Sequence, residues 1–221
     1  MHSIIFNKIY TEPAFCKKEI LRYAGCREAD GEISALLEMC IKEIKDVLTY
    51  KVCYREMQVS IDRDICDFGV FRWQSKKLAV NLKDCTNVIL FAATVGVGID
   101  RLIAKYGRIS PVRALLFQAI GAERIEALCD AFCADIAGER NIGIRPRFSP
   151  GYGDLSLDAQ KDIFSVLDCE KRIGLTLNDS LLMSPSKSVT ALVGLLDDAG
   201  RGTQNKCSAC NKIDCTFRGD L

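Results

Sequence analysis

Apolar residues recur along this chain with two different periods, and the changes of period predict its elements. Residues 13–23 read as a short helix, with Phe15, Ile20 and Leu21 apolar and Gly25 following as a stop. A second helix starts after Asp30, a good N-cap, and runs to about residue 50. Its apolar positions Ile33, Leu36, Leu37, Cys40, Ile41, Ile44, Val47 and Leu48 keep the i, i+3, i+4 spacing. From 51 to 81 the period falls to two. Val52 and Tyr54, then Val59 and Ile61, then Val70, Phe71 and Trp73, then Leu78 and Val80 predict three or four short strands with polar turns. Residues 87–94 form an apolar run of strand length that enters Val95-Gly96-Val97-Gly98, and a helix follows over 99–106.

Ser110-Pro111 opens the longest helix, with serine at the N-cap and proline at N1, and the pattern carries it to about residue 138. Beyond a loop rich in proline and glycine, 157–168 reads as another helix, with Ile163, Phe164, Val166 and Leu167 apolar. Two short strands around a turn and a last strand over 188–195 complete the pattern. The run Asp197-Asp198-Ala199-Gly200-Arg201-Gly202 marks a boundary. The expected organisation is one domain over 1–196 and a cysteine-containing tail over 197–221. Helices and runs of short strands in this order predict an α+β fold, with helices packed on a mainly antiparallel, twisted sheet.

Composition narrows the function more than it changes the fold. The net charge is +1 and no basic stripe stands out, which argues against nucleic-acid binding driven by phosphate contacts. The longest apolar run, 88–95, is too short to span a bilayer. The N-terminus lacks the basic start and long apolar region of a signal peptide, so a cytoplasmic protein is expected. That compartment disfavours a disulfide framework despite twelve cysteines. Nine are scattered, mostly among apolar neighbours, and read as small core residues. The sole histidine is His2, which nearly excludes histidine-based acid–base or metal chemistry.

Candidate chemistry gathers in the loop Arg145-Pro146-Arg147-Phe148-Ser149-Pro150-Gly151-Tyr152-Gly153-Asp154. Its prolines fix φ and remove backbone donors, while Gly151 and Gly153 allow φ > 0 or close approach of a ligand. Two readings are open: an ordinary connection with solvated arginines, or a stiff loop suited to a small zwitterion or anion. On the long helix, Ala119, Ala122, Glu126, Cys129 and Cys133 follow the +3/+4 spacing, a stripe of small residues with one carboxylate. Either Glu126 is buried against a cation or N–H groups, or it pairs on the surface with Arg124 or Arg113. The strand, Gly96-x-Gly98 and helix suggest a phosphate-binding turn, but Arg101 occupies the third glycine's place and a tight turn explains the pair as well. In the tail, Cys207, Cys210 and Cys215 stand as C-x2-C-x4-C, which can hold zinc or an iron–sulfur centre if Cys169, another scattered cysteine or a partner supplies the fourth ligand. The other reading is a polar tail with free thiols.

These residues resemble a known family. Arg147-Phe148-Ser149-Pro150-Gly151-Tyr152 is similar to the R-x-[AS]-P-G-Y loop of the activation domain of cobalamin-dependent methionine synthase. Leu115-Leu116-Phe117-Gln118-Ala119, with Glu126 beyond it, resembles the family's L-L-x-Q-A helix and its acidic residue. Leu167-Asp168, Glu170-Lys171, Gly174, Leu177, Ser180, Met183, Pro185 and Ser188-Val189-Thr190 fall in its L-D-x-E-K-x-x-G-x-x-L-x-x-S-x-x-M-x-P-x-x-S-V-[ST] pattern. The matches run in order over residues 110–194; the first hundred residues agree only in general character.

The resemblance implies a C-shaped sheet with the ligand loop near its middle, and a site for S-adenosylmethionine. Arg147 or Arg145 would hold the ligand's carboxylate. Glu126 would answer its ammonium or sulfonium charge or its ribose. Ser149, Gly151 and Tyr152 would take the adenosine end, and Glu139 belongs to the same candidate set. The implied role is reductive methylation: after cobalamin's cobalt is oxidised out of turnover, an electron and the methyl group of S-adenosylmethionine restore the methylated cofactor. Such chemistry needs positioning and no protein acid or base. The implied partners are a cobalamin-binding protein or a methionine synthase lacking this domain, and an electron donor such as flavodoxin or ferredoxin. Two departures stand out. The stretch from Arg145 to Tyr152 is two residues longer than in the family, and no tyrosine follows Tyr152 to match its C-terminal ligand tyrosine. The chain reads as a free-standing version acting in trans or, alternatively, as a docking module for a corrinoid protein or methyltransferase that makes no use of the ligand.

Overall fold

The structure, a computed structural model, describes residues 4–26 and 30–196. Its centre is β6 (Asn87–Thr94), in which every residue after Asn87 is buried. A strand buried on both faces needs a layer on each, and the two alternating sets of side chains divide accordingly. Ile89, Phe91 and Ala93 enter one core; Val88, Leu90 and Ala92 enter the other. β6 lies between β2 (Tyr50–Gln58) and β10 (Ser188–Leu196), antiparallel to both. The edges are β1 (Phe6–Tyr10), outside β2, and β7 (Gly143–Ile144), outside β10. The result is a curled, antiparallel half-barrel, as the α+β expectation requires.

One face carries α1 (Lys17–Tyr23), α2 (Gly31–Ile44), α4 (Gly98–Ile109) and α5 (Pro111–Arg140), which contribute Ile20, Leu37, Ile99, Phe117 and Phe132 to the first core. The other carries α3 (Lys76–Asn81), α6 (Ala159–Leu167), α7 (Cys169–Ile173) and a small sheet of β3 (Ser60–Asp62), β4 (Ile65–Asp67) and β5 (Arg72–Gln74). The hairpin β8 (Thr176–Leu177) and β9 (Met183–Ser184) follows α7. No helix among the described residues is long and apolar enough to cross a membrane.

Several expectations change. Leu78 and Val80 belong to a helix. Ser75 caps α3 by accepting from Leu78 N, Leu78 and Leu82 are buried one turn apart, and Val80 stands in solvent. The second helix does start at Asp30, whose side chain accepts from Ile33 N, but it ends at Ile44, where the chain turns towards β2. β1 and α7 were not foreseen. β1 shows little amphipathic signal because it is an edge strand, with Ile9 81% exposed. The glycines after β6 are explained by packing. Gly96 has φ +81°, and a Cβ there would lie 2.4 Å from Thr49 Oγ1; one on Gly98 would lie 2.6 Å from Val47. With antiparallel neighbours on both sides of β6, the motif is a tight strand-to-helix turn.

Candidate functional site

The candidate loop begins as the edge partner of β10. Arg145 N donates to Gly194 O, and Phe148 and Leu192 exchange both backbone hydrogen bonds at 2.9 and 3.0 Å. The loop therefore lies at the sheet's edge, level with the middle of β10. Ser149-Pro150-Gly151-Tyr152 is then a β-turn, closed by Tyr152 N donating to Ser149 O at 3.1 Å. Proline at its second position and Gly151 at φ +82° in the third are what a type II turn requires. Gly151 N donates to Leu155 O, so this donor is used inside the loop. Asp154 reaches across to the start of α3, accepting from Ser75 Oγ at 2.5 Å, Lys76 N at 2.8 Å and Lys77 N at 3.2 Å. Asn81 Nδ2 donates to Pro146 O at 3.2 Å. The stiffness expected from the prolines is thus reinforced from two neighbouring elements.

The two arginines point to opposite faces of the sheet. Arg145 donates to Lys83 O at 2.7 Å and lies 3.7 Å from Asp84, on the side of α3. Arg147 turns to α5: its Nη2 lies 2.6 Å from Glu126 Oε2 and its Nη1 2.5 Å from Asp130 Oδ1. Of the two candidates, Arg147 is therefore the one that pairs with Glu126. Burial opposes its charge, but the carboxylates of Asp130 and Glu126 hold the guanidinium above its ordinary range. Burial pushes the Cys129 thiol far up, against the pull of Arg147, so it is a neutral packing group and no nucleophile.

Neither surface partner expected for Glu126 is available to it. Arg124 is fully buried and grips Glu123, Pro13 O and Ala14 O, with Phe15 4.0 Å beneath it. Arg113 pairs with Glu43 at 2.5 Å. The stripe holds as a face: Ala119, Cys129 and Cys133 are buried, and Ala122 and Glu126 are half-buried.

Tyr23, at the end of α1, lies within reach of the Glu126 charge, α1 being packed along α5. Burial and then the Glu126 charge raise its hydroxyl above the ordinary value. Tyr152 is 59% exposed and sits edge-on to Phe148, with ring centroids 5.3 Å apart. Glu139 is not brought to the Arg147–Glu126 pair. It pairs with Lys8 of β1 at 2.5 Å, thirteen residues further along α5, a separation of about 20 Å at the helical rise.

Three residues of this region had no role in the sequence reading. Asp130 had a signal, because it stands one turn beyond Glu126 on the same helix. Asp154 closes the loop motif itself. Tyr23 gave none, since only tertiary packing brings α1 to Glu126. Cys207, Cys210 and Cys215 lie outside the described residues. Among the described ones, no group of three or more potential ligands could hold a metal ion.

Known proteins can be set beside this geometry. Residues 130–201 match the family model described as vitamin B12 dependent methionine synthase, activation domain. The matched segment contains Arg147, the turn and the whole 167–190 pattern. No curated protein matches the chain in sequence. Among solved structures, the MetH reactivation domain bound to AdoHcy is similar, with a TM-score of 0.65 over 91% of this chain and 81% of that one, at 12% identity. In sequence over residues 130–201, and in fold over nine-tenths of its length, the chain is thus similar to the activation domain of vitamin B12-dependent methionine synthase.

Proposed function

We propose that this protein binds S-adenosylmethionine in the groove between α5 and the 145–154 loop, and so serves the reductive methylation of a cobalamin carried by a partner, in the cytoplasm. The observation that carries the reading is the Arg147–Glu126 pair. A fixed cation and a carboxylate, 21 residues apart in sequence, meet on a face of α5 made of small side chains, and the exposed Tyr152 follows in the adjoining turn. That set fits an amino-acid head joined to a nucleoside. The AdoHcy held by the similar reactivation domain supports the same ligand class.

Arg147 takes the ligand's carboxylate, a charge-assisted contact that Arg145 is turned away from making. Glu126 answers the ammonium or sulfonium charge. Tyr152 offers its face to the adenine. The bound ligand supplies the methyl group and a one-electron carrier of the flavodoxin or ferredoxin kind supplies the electron. This chain's residues hold and orient the donor, and none of them needs to move a proton.

Calorimetric titration with S-adenosylmethionine tests the reading. The parent should bind, Arg147→Ala should bind about ten- to a hundredfold more weakly, as loss of a charge-assisted contact implies, and Arg145→Ala should bind like the parent. A parent protein that binds neither S-adenosylmethionine nor S-adenosylhomocysteine overturns the reading and leaves a docking module.

A further inference from the structure

Both ends of the Arg147 fork are engaged from α5. Nη1 holds Asp130 and Nη2 holds Glu126, at 2.5 and 2.6 Å. The two acids are four residues apart, so one helical turn presents their carboxylates side by side to one guanidinium. A ligand carboxylate gripped across the Nη1–Nη2 fork of Arg147, as in the function proposed above on which this inference rests, approaches the two nitrogens these acids already hold and competes with them. The side chain of Asp130 is 73% exposed and that of Glu126 46%. Asp130 is the one that water readily receives, whereas Glu126 is the more buried of the two.

We propose that Asp130 is a built-in competitor for Arg147. In the free protein it holds the guanidinium over the groove, and the ligand's own carboxylate takes its place. A group on the same protein competes at an effective concentration of about the millimolar range or above. A simple carboxylic acid in solution then gains little by entering. A ligand displaces Asp130 only when it brings further contacts, such as a cationic amino group for Glu126. Asp130 would thus reserve the groove for zwitterionic amino-acid heads.

The experiment measures affinities of the parent, Asp130→Asn and Asp130→Ala for S-adenosylmethionine, S-adenosylhomocysteine and decarboxylated S-adenosylmethionine. The alanine variant guards against an asparagine carbonyl that still accepts from Arg147. Removing an exposed ionic competitor should tighten both carboxylate-bearing ligands by the same factor, about two- to fivefold, and leave the decarboxylated one unchanged. Binding equal to or weaker than the parent's in both variants overturns the proposal. So does a loss confined to the sulfonium ligand, which would make Asp130 a charge partner of the methyl donor. If the parent binds no ligand, the functional reading itself has failed; if the parent binds and the variants gain nothing, only the role of Asp130 has.

Discussion

Replacing Arg124 with methionine should cost this fold more than any change in the candidate groove. Arg124 is fully buried, and its guanidinium donates to Pro13 O at 2.5 Å, to Ala14 O at 2.8 Å and to both oxygens of Glu123. Glu123 is itself 4% exposed and has one further donor, Cys16 N at 3.1 Å. Methionine fills much of the space, so the cavity term is small. What remains is a buried carboxylate stripped of its cation and two carbonyls without donors. Breaking a buried pair from one side costs about 3–5 kcal/mol. At about 2–4 °C of Tm per kcal/mol for a chain of this size, the melting midpoint should fall by roughly 6–20 °C. Urea unfolding of the parent, Arg124→Met and Arg124→Met/Glu123→Met measures it. The double variant should recover much of the loss, because removing both partners leaves no uncompensated charge. A single variant within about 1 kcal/mol of the parent would refute the argument, since a surface pair is worth no more than that.

Further predictions concern the turn after β6, acid stability and the tail. Gly96→Ala should lower unfolding free energy by about 1–3 kcal/mol through backbone strain alone, with added cost from the approach to Thr49, while Gly107→Ala, with open space around it, should not. Burial would raise the Glu43 carboxyl, but hydrogen bonds from Tyr106 and Lys105 and the charges of Lys105 and Arg113 outweigh it and hold it below its ordinary 4.5. The folded state then binds fewer protons than the unfolded one, so this contribution is fully present above 4.5 and is lost as pH falls below it through the lowered folded-state value. Denaturation curves between pH 3 and 7 should show a shallower acid loss in Glu43→Gln than in the parent. For Cys207, Cys210 and Cys215, anaerobic purification with metal analysis and a visible spectrum should find zinc or iron in the parent and not in Cys207→Ser/Cys210→Ser; a metal-free parent that is as soluble and active as the variant would sink that reading.

How far the sequence spoke depended on whether a residue's surroundings were local. The continuous apolar run of β6 marked a buried strand, and Ser110-Pro111 marked the start of α5. Both signals are carried by neighbours along the chain. The stiffness of the 145–154 loop was legible for the same reason, although the chain turns back at Ser149–Tyr152 where an extended course was expected. β1 was not, because an edge strand buries too little for its pattern to show, and α3 was misread because Leu78 and Val80 alternate by chance across a capped turn. The partner of Glu126 lay beyond local reasoning altogether. Arg124 and Arg113 are closer in sequence, but one is drawn into the core by Glu123 and the other is taken by Glu43. Only the pairing of the loop with β10 delivers Arg147 to that carboxylate. The same pairing sends Arg147 to α5 and Arg145 to the side of α3, a difference in placement that the sequence does not show.

The anchoring of the loop on both flanks has a thermodynamic consequence. Phe148 is fixed to Leu192, Pro146 to Asn81 and Asp154 to the start of α3, so the backbone from 146 to 154 is already restrained before any ligand arrives. A loop that ordered itself on binding would surrender about 1–2 kcal/mol of backbone entropy per residue at each encounter. Here that loss belongs to folding. Ligand association should then show a small heat-capacity change and amide exchange that is nearly the same with and without ligand across the turn, and most of the contact energy made at Arg147 and Glu126 should appear as affinity.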